Sequence, residues 1–450
     1  MTQVRDAVEE ADAVELATAI RQGRLSATGL AQLCLARYEA LEPMIRAFVT
    51  VDAGRLLRAA AATDEGIARG RRGGPLAGVP FAVKDVLDTA DLPTEYGSEV
   101  FRGRRPERSA EAVLALLSAG GLLFGKSVTA ELAHRQPGPT GNPWNLAHTP
   151  GGSSMGSAAA VAARIVPAAI GTQTNGSVIR PAAYCGIVGF KPSRGRISTA
   201  GVLRFSPTLD HVGAFATSVT AAGLLVDVMA RRPRESGTAR RGRRRADPAP
   251  PRVAVVRTQT WGRAEPSMRR CFDDAVAALA RSGAEVVEPV LPAVLADLEG
   301  THRTIMAVEG GESFRAYVEP FPERFSAATR ALVEEGSRIP RSEYLAALDR
   351  RARAIPLFAR WVAGHEAVVT LATLGEAPDT TTTGDATCCT LWTLLGAPAV
   401  TVPAARGPQG LPLGIQLVGA PGGDAALLVA ARWCEAVLGF SDLPPVLAGA

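Results

Sequence analysis

A run of small residues follows a glycine-rich segment and places the first constraint on the fold. Residues 157–163 are serine, alanine and valine only, and the segment before them, 150–156, is rich in glycine and serine. Small side chains allow a helix to pack tightly against a sheet. Strand-like apolar runs alternate with helix-like stretches along much of the chain. We therefore expect an α/β fold with α-helices flanking a mixed, twisted β-sheet.

The composition is that of a globular protein with a sizeable core. Of the 450 residues, 47% are hydrophobic and 21% are charged. No apolar run approaches the roughly 20 residues that span a bilayer. Residues 1–6 lack the basic-then-apolar pattern of a signal peptide. We expect a cytoplasmic protein that does not bind membranes, and the net charge of +5 does not call for a nucleic-acid partner.

The cysteines and histidines give no sign of a disulfide framework or a metal site. The six cysteines are scattered and form no Cys-x-x-Cys pair. In a chain of this length such scatter favours reduced thiols. The five histidines form no short-range ligand pattern. No metal is therefore expected.

One domain is expected to cover residues 1–450. Its N-terminal helical segment spans about residues 1–60, and a core containing the candidate motifs spans about 65–230. Residues 231–251 are rich in arginine and proline, which favours a solvated linker over a nucleic-acid patch. Residues 252–450 resume the strand–helix alternation and are expected to complete the same sheet and the substrate pocket.

Three polar residues carry the candidate chemistry: Lys84, Ser153 and Ser177. Lys84 follows the apolar run 78–83, and both serines lie among glycines. Serine is a poor nucleophile until a base takes its proton, and a lysine can be that base when burial lowers its pKa. Glycines let a substrate carbonyl approach backbone N–H groups. These residues predict a serine amide hydrolase without a histidine base.

The segments 78–85, 150–157 and 171–177 resemble those of the amidase signature family, hydrolases with a Ser-cis-Ser-Lys triad. The serines are 24 residues apart (177 minus 153), and Lys84 lies 69 residues before Ser153 (153 minus 84). The resemblance implies that Ser177 is the nucleophile, Ser153 a proton shuttle at a cis peptide and Lys84 the general base, with no cofactor. It also implies an oxyanion hole formed by four backbone N–H groups, those of Thr174, Asn175, Gly176 and Ser177.

Arg180 lies three residues after Ser177, whereas many family members have this arginine two residues after the serine. Gln173, Asn175 and Met155 also depart from the commonest pattern. The variant is similar to the malonamidase branch, in which that arginine holds a substrate carboxylate. A planar guanidinium can pair bidentately with a carboxylate. A structural arginine that ties the loop to the sheet is the alternative, and the sequence leaves both open.

The resemblance implies hydrolysis of a small, carboxylate-bearing amide through an acyl-enzyme, with release of ammonia or an amine. Two alternatives stay open. One is the A subunit of a glutamyl-tRNA amidotransferase, which uses the same chemistry to supply ammonia to a partner. The other is a non-catalytic binding or scaffold protein on the same fold. A homodimer is expected by family analogy only, and residues between His302 and Thr383 are expected to contribute to the pocket.

Two other motif matches are rejected. Residues 120–127 fit the P-loop pattern, but their apolar centre suits a strand and not a phosphate-binding loop. Residues 152–156 fit a nucleophile elbow around Ser154, but the segment before them is loop-like. A helix follows Ser153, and Ser154 or Ser157 could cap it in place of Ser153. We interpret Asp210 and His211 as structural.

Overall fold

The computed structural model describes residues 11–230 and 249–449. The linker prediction for 231–251 therefore falls outside the described residues except at its last three positions. Within the described ranges, eleven strands form one sheet. The strands are β1 (Phe48–Val51), β2 (Pro80–Lys84), β3 (Leu122–Ser127), β4 (Ala168–Gln173), β5 (Val188–Lys191), β6 (His211–Ala216), β7 (Arg252–Val255), β8 (Glu285–Val287), β9 (Ala367–Leu371), β10 (Ala399–Arg406) and β11 (Pro412–Val418).

Fourteen α-helices lie in the same described ranges, together with five short 3₁₀ turns. The helices are α1 (Ala13–Arg21), α2 (Ala27–Ile45), α3 (Ala53–Ala68), α4 (Glu111–Ser118), α5 (Met155–Ala162), α6 (Ile179–Tyr184), α7 (Val219–Met229), α8 (Pro266–Arg281), α9 (Ala293–Ala296), α10 (Glu299–Val318), α11 (Ala327–Arg338), α12 (Arg341–Val362), α13 (Thr387–Leu394) and α14 (Asp424–Leu438). No helix in the parts of the chain that can be described is both long enough and apolar enough to cross a bilayer.

The sheet is mixed and draws its strands from both halves of the chain. Its order is β1-β3-β2-β4-β6-β5-β10-β11-β9-β7-β8. β3, β2 and β4 are parallel to one another, as are β9, β7 and β8. The remaining neighbours are antiparallel, including β5 and β10, which join the two halves. The expected mixed sheet with flanking helices is confirmed.

Helix α5 explains the run of small residues. All of its eight residues are buried. A Cβ atom added at Gly156 would lie only 2.0 Å from the carbonyl oxygen of Ala47, a separation that no side chain tolerates. Any larger residue there would push α5 away from β2 and β3. The small-residue run is therefore a packing requirement of the helix that follows the serine segment.

Ser154 stands at the N-cap position of α5, but its side chain makes no cap hydrogen bond. The hydroxyl of Ser154 donates to the carbonyl of Ser177 at 2.6 Å and accepts no hydrogen bond from the N–H groups of the first turn of α5. The hydroxyl of Ser157 bonds Ser127 at 2.8 Å and the carbonyl of Ile170 at 3.1 Å. Both serines are fully buried, so their hydroxyls bond the strands and loops against which α5 packs.

Candidate active site

Lys84 is the last residue of the central strand β2, and it is completely buried. Its Nζ lies 2.7 Å from the hydroxyl oxygen of Ser153 and 2.8 Å from that of Thr172 on β4. Within the described residues no carboxylate lies in ion-pair distance of Nζ. Burial therefore lowers the pKa of Lys84 well below its ordinary value, and Asp210 partly opposes that shift.

Ser153 follows a cis peptide bond between Gly152 and Ser153, as the resemblance implied. Ser153 is almost fully buried. The preceding residue, Gly152, cannot be replaced by a larger one, because a Cβ atom there would lie 2.6 Å from Cγ2 of Thr383. Ser154, the next residue, bonds the carbonyl of Ser177. The two serine segments are therefore joined directly, through Ser154.

The loop from Thr174 to Ser177 has all four of its carbonyl groups occupied by hydrogen bonds. The carbonyl of Thr174 accepts from Nε2 of His302 at 3.0 Å, and that of Asn175 accepts from the hydroxyl of Thr393 at 2.5 Å. The remaining two accept from the N–H of Arg180 at 2.9 Å and from the hydroxyl of Ser154 at 2.6 Å.

The four N–H groups of this loop differ from its carbonyls, which are all hydrogen-bonded. None of them donates a hydrogen bond to another group in the part of the chain that the structure describes. Ser177 itself is 8% exposed and lies on the wall of a cavity. A loop whose carbonyls are bound and whose donors are open has the polarity that an oxyanion needs.

Gln173 shows why a neutral amide is suitable where the family usually has aspartate. Its Oε1 accepts from the N–H groups of Val178 and Ile179 at 2.8 and 3.0 Å, at the start of α6. Its Nε2 donates to the hydroxyl of Thr393 at 2.9 Å. A carboxylate could make the first two bonds but not the third. Gln173 thus holds the start of α6 through its amide oxygen and binds Thr393 through its amide N–H.

Arg180 is buried and lies on the wall of the same cavity as Ser177. Its guanidinium donates to the carbonyls of Gly384 at 2.6 Å and Gly152 at 2.5 Å, and to the hydroxyl of Thr383 at 3.4 Å. Its Nε is buried without a partner. Arg180 therefore ties the two serine segments to the loop 383–384 and still has free donors.

The cavity has a volume of about 470 Å³, the scale of a small-molecule site. The second half of the chain supplies much of its wall, as expected, but the lining continues beyond Thr383 to Thr390. Residues 133–135 also line it, although no sequence pattern indicated them. The described ranges hold no group of three or more metal-ligating side chains. The lining consists of Ala133, His134, Arg135, Thr174, Asn175, Ser177, Arg180, Phe205, Glu299, His302, Arg303, Met306, Thr382, Thr383, Gly384, Asp385, Ala386, Thr387 and Thr390.

The structure adds several polar residues that sequence reasoning missed. Thr172 bonds Lys84, Thr393 bonds the loop carbonyl of Asn175, and His302 bonds that of Thr174. Asp210 accepts the hydroxyl of Thr174 at 2.6 Å. Only Thr172 carried a local signal, because it lies on the strand that leads into the serine loop. The other contacts join residues far apart in the sequence.

Comparisons with known proteins agree with this geometry. The profile of a family described as Amidase matches residues 30–428. The chain is 32% identical to the A subunit of a glutamyl-tRNA(Gln) amidotransferase from Chloroflexus aggregans, over 91% of this chain and 93% of that protein.

Two solved structures superpose on nearly the whole of this chain. A 6-aminohexanoate cyclic dimer hydrolase superposes with a TM-score of 0.84 at 26% identity, over 97% of this chain and 99% of the other. A peptide amidase from Stenotrophomonas maltophilia superposes with a TM-score of 0.82 at 27% identity, over 97% and 98% of the two chains. The names of these two neighbours describe a hydrolase and an amidase.

Proposed function

This chain belongs to the amidase family, and from that premise we propose that it hydrolyses a small, carboxylate-bearing amide through an acyl-enzyme on Ser177. The observation that carries the proposal is the environment of Lys84. Its amine is buried without a carboxylate partner among the described residues and lies 2.7 Å from the hydroxyl of Ser153. A lysine in that state is a base, and its hydroxyl partner offers a route for a proton.

The proposed reaction moves one proton along Ser177, Ser153 and Lys84. Neutral Lys84 takes the proton of Ser153, and Ser153 takes that of Ser177 as the Ser177 oxygen attacks the amide carbon. When the carbon–nitrogen bond breaks, the proton returns to the leaving nitrogen. Water then attacks the ester by the same relay and releases the acid. No group outside the chain enters the proton path.

The open N–H groups of residues 174–177 are the proposed oxyanion hole. The carbonyls of Thr174, Asn175 and Gly176 share peptide planes with the next three N–H groups, those of residues 175–177. These carbonyls are held by His302, Thr393 and Arg180, which fixes the direction of those three donors before substrate arrives. Donors that are already oriented need no reorganisation in the transition state. One such donor contributes about 3–4 kcal/mol.

Arg180 is the proposed carboxylate clamp. It is a buried cation on the cavity wall, and its hydrogen bonds go to two carbonyls and a hydroxyl. No carboxylate forms a salt bridge with it in the described ranges. A substrate carboxylate would supply the missing counter-charge and reach the free donors of the guanidinium.

A second candidate is the glutamine-hydrolysing component of an amidotransferase. The name of the Chloroflexus relative, together with coverage of 91% and 93%, favours it. Glutamine is itself an amide that carries a carboxylate, so Arg180 and the triad serve both candidates equally. The two differ in the fate of ammonia, which is released to solvent in one and passed to a partner in the other. The family match and its hydrolase neighbours argue against a non-catalytic scaffold.

Ammonia release from paired amides tests the proposal. Malonamate and glutamine would be compared with neutral propanamide and butanamide, using the native protein and Ser177→Ala. Ser337→Ala is the matched control, because Ser337 is exposed on α11. We expect ammonia from the carboxylated amides, no turnover by Ser177→Ala and native turnover by Ser337→Ala. Turnover by Ser177→Ala would refute the mechanism.

The same assay separates the two candidates and tests the clamp. Glutamine turnover that requires co-purified partner proteins would favour the amidotransferase, and partner-free turnover would favour the free amidase. Arg180→Lys keeps the positive charge but loses the planar guanidinium that can bind a carboxylate with two hydrogen bonds. KM for carboxylated amides should therefore rise roughly 10- to 100-fold. Neutral amides measured with the same variant are the control. An equal loss on both classes would make Arg180 structural.

A further inference from the structure

Thr174 is the first residue of the Ser177 loop, and it is held at two points. Its hydroxyl donates to Oδ1 of Asp210 at 2.6 Å, and its carbonyl accepts from Nε2 of His302 at 3.0 Å. Burial lowers the pKa of His302 to about 4, so the imidazole is neutral near pH 7 and donates through Nε2. The carbonyl of Thr174 shares its peptide plane with the N–H of Asn175, so these two contacts hold Thr174 and set the direction of the Asn175 N–H.

Asp210 is itself anchored. Its Oδ2 accepts from the N–H groups of Phe205 and Ser206, both at 2.9 Å. The hydroxyl of Ser206 bonds the carboxylate of Glu309 on α10. Tyr344 on α12 donates to the same carboxylate at 2.7 Å. A chain of hydrogen bonds thus runs from two helices, through the 205–210 turn, to the loop of the nucleophile.

The charge of Asp210 also reaches the general base. Asp210 raises the pKa of Lys84, against the larger effect of burial. Burial, assisted by Glu309, raises the pKa of Asp210 to about 6, although the hydrogen bonds that Asp210 accepts lower it. The ionised groups that bear on this pair are Glu309 from α10 and Arg180 from α6, and Arg180 lowers the pKa of Lys84. Near pH 7 the carboxylate of Asp210 is therefore mostly ionised.

We infer that Asp210 is a positioning residue for the hydrolysis, which holds Thr174 and thereby fixes the oxyanion donor of Asn175. The inference rests on the proposed function of Ser177 and Lys84. It gives Asp210 a role in the reaction that its place before β6 in the sequence does not reveal. Asp210 acts through Thr174 and is not among the residues that line the cavity.

A fluorophosphonate probe tests this without a known substrate. The Ser177 oxygen would attack phosphorus and displace fluoride, with its proton taken by the relay, so the labelling rate reports the nucleophile and the oxyanion donors. Labelling of the native protein that Ser177→Ala abolishes would support the proposed function. An unlabelled native protein would refute the proposed function and the inference together.

The positioning role is tested by a matched pair at Thr174. Thr174→Val removes the hydroxyl and keeps the shape, whereas Thr174→Ser keeps the hydroxyl. We expect labelling to slow on the order of 10- to 100-fold in Thr174→Val, because a donor displaced by a fraction of an ångström loses much of its effect. Thr174→Ser should stay within about threefold of the native rate. Equal rates for both variants would overturn the positioning role.

The electrostatic role is tested by Asp210→Asn through the pH dependence of labelling. Removing the negative charge favours neutral Lys84, so the acid limb should move to lower pH by roughly half a pH unit or more. Thr174→Val keeps the charge and should slow labelling without moving the limb. Asp227→Asn removes a half-exposed surface carboxylate and should change neither.

A purely structural role for Asp210 predicts a different result, namely slower labelling at every pH with an unmoved limb. That outcome would make Asp210 a purely structural residue and would overturn the inference. Thermal unfolding of each variant shows which rates belong to folded protein. If Asp210→Asn does not fold, the Thr174 pair decides the positioning role alone.

Discussion

Two buried lysines on neighbouring strands of this protein have different partners for their amines. Lys84 on β2 and Lys126 on β3 both lack solvent exposure, and their strands pair in parallel. Nζ of Lys126 lies 3.0 Å from the carboxylate of Asp85 and bonds the hydroxyl of Thr94 at 2.5 Å. Nζ of Lys84 bonds only the hydroxyls of Ser153 and Thr172 in the described residues.

The difference shows that burial by itself does not make a lysine a base. Burial lowers the pKa of both amines, but Asp85 opposes the shift at Lys126. The ion pair with Asp85 favours the charged form of Lys126 and so offsets part of the effect of burial. Lys84 has hydroxyl partners and only a more distant carboxylate, so its neutral form is accessible and can accept a proton. The type of partner, not the degree of burial, separates the structural lysine from the candidate base.

The largest expected effect comes from Lys84→Met. Loss of the base should slow fluorophosphonate labelling by roughly 10³-fold or more. Stability should not fall, because the variant removes a buried amine that has no salt bridge among the described residues. Labelling kinetics and urea unfolding measure the two quantities. Labelling within tenfold of the native rate would mean that a residue other than Lys84 is the general base.

Lys126→Met should have the complementary effect. It leaves Asp85 buried without its counter-charge, which costs about 3–5 kcal/mol of unfolding free energy. The double variant Asp85→Asn with Lys126→Met should recover part of that loss, because no unpaired charge is left. Urea unfolding at pH 7 measures both. A stability unchanged by Lys126→Met would mean that the ion pair contributes nothing net.

Lys191 on β5 is a third buried lysine, and the partners of its amine are backbone carbonyls. It is fully buried, and its Nζ bonds the carbonyls of Pro192 and Ala397. Burial lowers its pKa to about 7, so above pH 7 the folded state binds fewer protons than the unfolded state. Stability should therefore rise with pH in the window between about 7 and 10.5.

The measurement is the difference in unfolding free energy between the native protein and Lys191→Met. From pH 8 to pH 9 this difference should grow by about 1 kcal/mol in favour of the native protein. The subtraction removes groups that titrate in both proteins. A difference that stays flat would mean that Lys191 keeps its ordinary pKa in the fold.

Much of the fold and the core of the site could be predicted from local sequence. The strand before Lys84, the loop before Ser153 and the mixed sheet all follow from apolar runs, glycines and small residues. The P-loop match at 120–127 was correctly rejected, since Gly125, Lys126 and Ser127 continue β3 as a buried strand. Local pattern cannot show that the hydroxyl of Ser154 bonds the loop of Ser177 instead of capping α5.

The contacts that orient the site lie beyond local pattern. Thr393 reaches the carbonyl of Asn175 across 218 residues of sequence, and His302 reaches that of Thr174 across 128. Asp210 and the guanidinium partners of Arg180 are likewise distant in sequence from the groups they hold. No periodicity or spacing rule connects residues on elements that meet only when the sheet assembles.

The sequence by itself determined the chemical groups: a lysine at the end of an apolar strand and two serines among glycines, at the spacing of an amidase. Tertiary structure decided which groups could use that chemistry. Lys84 and Lys126 have similar apolar flanks in the sequence, and only the assembled sheet brings Asp85 to one and Ser153 to the other. Charge partners act through space, so the state of a buried lysine depends on contacts between elements that local sequence does not specify.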